Sequence, residues 1–205
     1  MDFSLLLIAV AVGAHFVRAR DQKQRIALLG RHLASYDIEK LMESLTAGYL
    51  RALGESDPDR QAQVWHLLAS TQARLSEQFN QFAIAVAKLG AASTRVSKLP
   101  VAIPYATLLF PGASFDFRKA LRVHALGLQA ASMAGTSAAD DGDPKREAFT
   151  MMAEILLMQH TCHWYCRSET IASARLLKRH QTTYAQVLES VSPATRQAYG
   201  TLTGR

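Results

Sequence analysis

The densest group of reactive side chains in this sequence lies in the heptapeptide HTCHWYC, at residues 160–166. On an α-helix, where each residue advances by about 100°, Cys162 and Cys166 lie about 40° apart on one face, and His163 lies about 60° from Cys166. Thiolate and imidazole groups are ligands for soft metals. The spacing therefore predicts a candidate metal site at Cys162, His163 and Cys166, provided that another element supplies a fourth ligand.

A simpler interpretation competes with this metal site. Both cysteines fall on the apolar stripe of the predicted helix, and free cysteine behaves in proteins as a small buried hydrophobic side chain. No second Cys/His pair completes a zinc pattern, so accessory ligands would have to come from Glu169 or His180. We expect core packing and no cofactor, and we keep a soft-metal site and a redox role of the thiols as alternatives.

Common catalytic motifs are absent from the sequence. It contains no G-x-S-x-G elbow, no Walker A loop, no G-x-G-x-x-G, no H-E-x-x-H and no E-x-x-H pair of the di-iron type. The net charge of +6 suits an anionic membrane or a nucleic acid, but no recognition-helix pattern is present. We therefore expect neither an enzyme nor a nucleic-acid-binding protein.

The elements that must position these side chains are helices. Of the 205 residues, 49% are hydrophobic and only two are cysteines, which excludes a disordered chain and a disulfide framework. Apolar residues recur every three or four positions, and no run of alternating β-branched residues indicates a strand. We predict an all-α fold: an antiparallel bundle of about five helices, with an N-terminal hydrophobic helix running into it.

Caps, glycines and prolines give the boundaries of these helices. We predict helices over residues 3–35, 38–53, 58–89, 114–131 and 145–192, the last with a kink or break near residues 167–168. Asp57 followed by Pro58, and Ser192 followed by Pro193, are typical of a capped helix start with proline at the first position. His124 lies on the apolar stripe of its helix, where a hydrogen-bonded core histidine is expected.

Two segments interrupt the helical pattern. Residues 91–112 form a proline-rich apolar loop, and its apolar content predicts that it packs against the helices. Residues 135–144 (GTSAADDGDP) form a polar, acidic linker with two glycines.

The N-terminal segment, residues 3–17 (FSLLLIAVAVGAHFV), contains no formally charged residue. Apolar side chains fall on every face, as in a helix that is surrounded by lipid or fully buried. Fifteen helical residues span about 22 Å, short of the ~30 Å hydrocarbon core, and arginine side chains that reach the headgroups reduce the deficit. We predict a membrane-anchor helix over residues 1–20, with lipid contacts by Phe3, Leu5, Leu6, Leu7, Ile8, Val10, Val12, Phe16 and Val17.

Positive charge follows the apolar segment, whereas a secretory signal peptide carries it before the apolar run. Only Met1 and Asp2 precede the segment, and the membrane-proximal basic residues after it are Arg18, Arg20, Lys23 and Arg25. The positive-inside rule then predicts single-pass anchoring in the inner (cytoplasmic) membrane, with the helical domain of residues 21–205 in the cytoplasm.

These patterns favour a membrane-anchored helical interaction or accessory protein without catalytic activity. Its expected partners are the lipid bilayer and another membrane or membrane-associated protein, and not nucleic acid. Three alternatives remain at this point: a metal- or cofactor-binding helical protein that uses residues 160–166, a soluble bundle with residues 3–17 as its buried core helix, and a cleaved signal peptide.

Overall fold

The computed structural model describes residues 3–137 and 143–204. Within these ranges the chain is almost entirely helical, which confirms the all-α prediction. The described part contains nine α-helices: α1 (Phe3–Leu33), α2 (Ile38–Gly54), α3 (Pro58–Ala87), α4 (Ala106–Leu109), α5 (Phe117–Ser137), α6 (Pro144–Cys166), α7 (Glu169–His180), α8 (Tyr184–Ser190) and α9 (Pro193–Thr203). Two short strands pair with each other: β1 (Arg95–Ser97) and β2 (Ser114–Asp116).

The helices pack as an antiparallel bundle around one main core. Helix α3 lies against α2 and α5, α6 lies against α5, and α7, α8 and α9 cover the remaining sides of α5 and α6. Full burial of a large apolar side chain contributes about 1.5–3 kcal/mol. The largest fully buried apolar side chains of the core come from α2, α3, α5 and α6: Ile38, Leu45, Leu75, Phe79, Phe82, Phe117, Leu121, Leu128, Met151, Ile155 and Trp164.

Side-chain caps set several of the helix starts that the sequence predicts. The Asp57 carboxylate accepts hydrogen bonds from two backbone N–H groups of the first turn of α3, with Pro58 at the first helical position. Ser192 caps α9 in the same way. The predicted break in the long C-terminal element is confirmed, because Ser168 caps α7 directly after α6 ends. The structure also contains a second break that the sequence analysis does not predict: Gln181 adopts a left-handed backbone conformation, and Thr183 starts α8 with a capping box.

The small sheet is a correction to the sequence analysis, which predicts no strand. In the antiparallel pair, Val96 lies opposite Phe115, and both side chains are buried. Ser114, predicted to cap a helix, belongs to β2, and α5 begins at Phe117. Strands of three residues are too short to show a two-residue periodicity, so the pattern could not reveal them.

Half of the predicted acidic linker, residues 135–144, lies outside the described residues, since residues 138–142 are not among them. At its edges, residues 135–137 continue α5, and Asp143 caps α6 by accepting a hydrogen bond from the backbone N–H of Lys145.

Candidate functional site

The first half of α1 is exposed on every side. All residues from 3 to 18 are exposed, and Phe16, for example, keeps 68% of its surface accessible. Helix α1 is long and apolar enough to span a membrane, and none of its most apolar stretch is buried. The structure therefore contradicts the alternative in which residues 3–17 form the core helix of a soluble bundle, because none of the described helices covers them.

The second half of α1 is fixed to the bundle at a junction formed by Asp21, Gln22, Arg25, Arg95, Tyr165 and Arg167. The Arg25 guanidinium donates hydrogen bonds to the backbone oxygens of Arg95 (2.9 Å) and Tyr165 (3.4 Å). It also pairs with Asp21 and lies over the Tyr165 ring, 5.3 Å from the centroid. The Arg167 guanidinium donates to Gln22 Oε1 at 2.8 Å. The exposed half of α1 thus projects from a defined attachment point.

The predicted membrane-proximal basic residues divide into two groups. Arg18, Arg20 and Lys23 are exposed. Arg25 points toward the bundle instead, and its side chain is only 17% exposed. Three of the four basic residues are therefore available to a membrane surface, whereas Arg25 holds α1 in place.

The proline-rich segment contains an uncharged loop, residues 99–113 (LPVAIPYATLLFPGA). The prediction that this segment packs against the helices is wrong for its large side chains. Ala106 is the one buried residue of the loop, while the exposed apolar and aromatic side chains are Val101, Ile103, Tyr105, Leu108, Leu109 and Phe110. Prolines confine regular structure in the loop to the four residues of α4 and one 3-10 turn at Pro111–Ala113, so no continuous apolar face forms that the bundle can cover.

The base of the uncharged loop is held firmly. Strands β1 and β2 bring its two ends together, and the Trp164 indole N–H donates to the backbone oxygen of Ser97 at 2.9 Å. The Thr170 hydroxyl and backbone N–H both donate to the backbone oxygen of Pro100, at 2.6 and 3.2 Å. The loop is thereby attached to the end of α6 and the start of α7, beside the junction.

A cavity of about 240 Å³ separates the uncharged loop from α1. Val17, Asp21 and Arg25 line it from α1, and Ile103, Tyr105 and Leu108 are among the loop residues on its other side. Val17 is the last residue of the uncharged stretch of α1. These two uncharged, exposed segments are therefore neighbours in space, although about ninety residues separate them in sequence.

The predicted metal residues lie at the end of α6. Cys162, His163 and Cys166 all line one cleft of about 600 Å³ between α1, α2, α6 and α7, and His180 lines it too. Cys166 belongs to the main core, and Cys162 packs against it. Within residues 3–137 and 143–204, however, no group of three or more His, Cys, Asp or Glu side chains is placed to hold a metal ion.

Electrostatics at the two thiols also oppose metal binding, because a metal binds the thiolate. Burial raises the pKa of Cys166 to about 11, partly offset by nearby arginines, and burial raises the pKa of Cys162. Burial lowers the pKa of His163, and the charge of Arg175 lowers it further. Both cysteines are therefore neutral thiols at physiological pH.

A buried polar cluster joins α5, α6 and α9, and it comprises His124, Glu154, Thr161, Thr195 and Tyr199. His124 Nε2 lies 2.8 Å from Thr161 Oγ1, and the Thr161 and Tyr199 hydroxyls are 2.9 Å apart. Glu154 Oε1 accepts from the Ser192 backbone N–H at 3.1 Å. The core histidine expected at position 124 is confirmed. The sequence did not reveal its partners, because an isolated Glu or Tyr on a helix carries no signal of burial.

Burial shifts the ionisation of this cluster strongly. It lowers the pKa of His124 to about 3, with a smaller contribution from His160. It raises the pKa of Glu154, partly offset by hydrogen bonds from Thr195 and Ser192. All five side chains are almost completely excluded from solvent, which is typical of a structural polar core rather than of a site that exchanges a dissolved substrate.

Comparisons of the chain with known protein families, with curated proteins and with solved structures found no match. The geometry described above is therefore the basis for a proposed function. Its most unusual feature is the pair of exposed, uncharged segments on either side of the junction.

Proposed function

We propose that this protein is a single-pass, membrane-anchored helical protein whose bundle serves as an interaction or accessory module without catalytic activity. The observation that supports it is the exposure of the whole uncharged half of α1. Transfer of its nine large apolar side chains from water to lipid is favourable by on the order of 10 kcal/mol. A continuous apolar surface of this kind marks a membrane or protein contact.

Exposed basic residues support the proposed orientation. Arg18, Arg20 and Lys23 directly follow the uncharged stretch, and Lys and Arg are enriched on the cytoplasmic side of membrane helices. Each contributes about 1 kcal/mol of attraction to anionic headgroups near the surface. We propose that the bundle lies in the cytoplasm, on the inner face of the cytoplasmic membrane.

The partner that we propose for the bundle is another membrane or membrane-associated protein. Large apolar side chains remain exposed on the bundle away from the junction, including Leu50, Leu67 and Phe149. A monomeric helical domain leaves single residues of this kind exposed as a matter of course, so they support the partner less strongly than α1 supports the anchor.

Extraction of membranes with alkaline carbonate tests the anchor. The full chain with a C-terminal tag is expected to stay in the membrane pellet and to dissolve only in detergent, because a spanning helix is not released by high pH. The tag should resist protease added to the outer face of the cytoplasmic membrane and be digested after permeabilisation. Recovery of the chain in the soluble fraction without detergent would contradict the proposal, and digestion of the tag from outside would reverse the orientation.

A metal-binding protein is the second candidate, supported by the position of Cys162, His163 and Cys166 along one cleft. Because both thiols are neutral and the described part of the chain places no set of three ligands together, we expect less than about a tenth of a metal ion per chain. Elemental analysis of the full chain, purified in detergent without chelator, measures this. A stoichiometric soft metal that is lost in a Cys162→Ser variant would establish the second candidate instead.

A further inference from the structure

We propose that the uncharged loop, residues 99–113, is a second membrane contact that inserts its tip into the interfacial region of the same bilayer. This inference rests on the proposed anchoring of α1, and it assigns a role to a segment that the anchor itself does not need.

The first step concerns the composition of the uncharged loop and the exposure of its side chains. Fifteen consecutive residues of the loop are uncharged, and the side chains at its tip are large and outward-facing: Leu108 is 73% exposed, and Leu109 and Phe110 are also exposed. In water such a contiguous patch is unfavourable and promotes association. At a membrane surface, the same leucines and phenylalanine gain free energy by entering the acyl boundary, as the apolar faces of interfacial helices do.

The second step concerns the position of the uncharged loop relative to α1. The loop and α1 line the same cavity at Val17, where the uncharged half of α1 ends. The Arg25 and Arg167 hydrogen bonds fix α1 relative to the end of α6, and Thr170 and Trp164 fix the loop to the same region. When residues 3–17 lie in the hydrocarbon, the base of the loop must therefore lie close to the level of the headgroups.

The third step concerns the positive charge around the loop and the short length of the uncharged part of α1. Arg18, Arg20 and Lys23 on α1, together with exposed Arg95 and Arg167 at the junction, form a basic surround suited to anionic headgroups. The exposed Tyr105 ring is amphipathic, as is typical of side chains at the membrane interface. Because the uncharged part of α1 spans only about 22 Å, the bundle must lie directly on the bilayer. The loop occupies this contact.

The bundle also offers a matched control position at its opposite end. Gln22, in the middle of α1, accepts a hydrogen bond from Arg167, directly after the end of α6. Leu33, at the end of α1, lines the same 600 Å³ cleft as Ile155, which lies further back along α6. Helices α1 and α6 therefore run antiparallel. Phe149 therefore lies about 25 Å back along α6 from Cys166, away from the membrane end. It is 65% exposed, similar to Leu108.

Fluorescence quenching in vesicles tests the loop contact with the full chain. Single variants Phe16→Cys, Leu108→Cys and Phe149→Cys are labelled with an environment-sensitive fluorophore, and the chain without a new cysteine gives the background from Cys162 and Cys166. Each is reconstituted in phosphatidylcholine–phosphatidylglycerol vesicles that contain a lipid with a nitroxide near the top of its acyl chain. Labels at Phe16 and Leu108 are expected to shift to the blue and lose about half or more of their emission, and the label at Phe149 to lose little.

Failure of the loop contact and failure of the anchor give different results. If the label at Phe16 is quenched but the label at Leu108 is quenched no more than the label at Phe149, the loop contact is overturned and the anchor stands. No quenching at Phe16 overturns the anchor, and the loop proposal falls with it. A label at Leu109, which is also exposed, repeats the measurement if the first loop variant does not fold.

Discussion

Two arginines in the exposed half of α1 are expected to release the protein from the membrane. In the double variant Leu7→Arg/Val10→Arg, both charges lie near the centre of the uncharged stretch. Each arginine at this depth costs about 2.5–3.5 kcal/mol, so the pair shifts the partition between membrane and water by about 1,000-fold or more. The fraction of tagged chain in the carbonate-resistant pellet measures the effect.

Arginines on the bundle surface provide the matched control. Leu67 and Ile84 on α3 are exposed to similar degrees, and the variant Leu67→Arg/Ile84→Arg adds the same charge away from α1. It should remain in the membrane pellet, which separates anchoring from net charge and from misfolding. Retention of the Leu7→Arg/Val10→Arg variant would instead mean that another surface holds the protein, since insertion of the uncharged loop alone provides only weak, reversible binding.

Most helix boundaries were predictable because the signals that set them are local. The Asp57 cap, the proline that follows it, and Gly54 at the end of α2 act within one turn, and the structure uses each of them. The division of the last long predicted element, residues 145–192, into the three helices α6, α7 and α8 was only partly predictable. The sequence analysis predicts the break at Ser168, but it does not predict the capping box at Thr183.

The anchor and the loop show where prediction from the sequence stops. Residues 3–17 are apolar on every face, which predicts a helix that is either surrounded by lipid or fully buried, and the structure shows that they are exposed. The loop is just as apolar, but whether it is covered depends on which helix ends lie beside it. That arrangement is created by contacts such as Arg25 with Tyr165 and Thr170 with Pro100, between residues far apart in sequence. Tertiary contacts of this kind leave no periodic pattern to read.

Acidification is expected to destabilise the bundle through His124. Burial lowers the pKa of this histidine from 6.5 to about 3, so the folded protein keeps it neutral while the unfolded chain takes up a proton below pH 6.5. Above pH 6.5 the histidine is neutral in both the folded and the unfolded chain, so its burial costs no stability through proton uptake. As the pH falls from 6.5 toward 3, the free energy of unfolding should decrease by about 1.4 kcal/mol per pH unit. Glu154, whose pKa is raised, acts in the opposite direction, so a comparison of variants is needed to isolate His124.

The variant His124→Gln keeps a polar side chain opposite Thr161 but cannot take up a proton in this range. Between pH 6.5 and 5, His124 should account for a loss of about 2 kcal/mol in the parent protein. The His124→Gln variant should not show this loss of unfolding free energy, whatever its absolute stability. Glu154 contributes equally to the parent and the variant, so the difference between them isolates His124. Urea unfolding of the full chains in mild detergent, repeated across this pH range, measures how the free energy of unfolding of each chain changes with pH. Equal slopes for parent and His124→Gln would show that the buried histidine takes up its proton without unfolding, and that the cluster of α5, α6 and α9 opens to solvent.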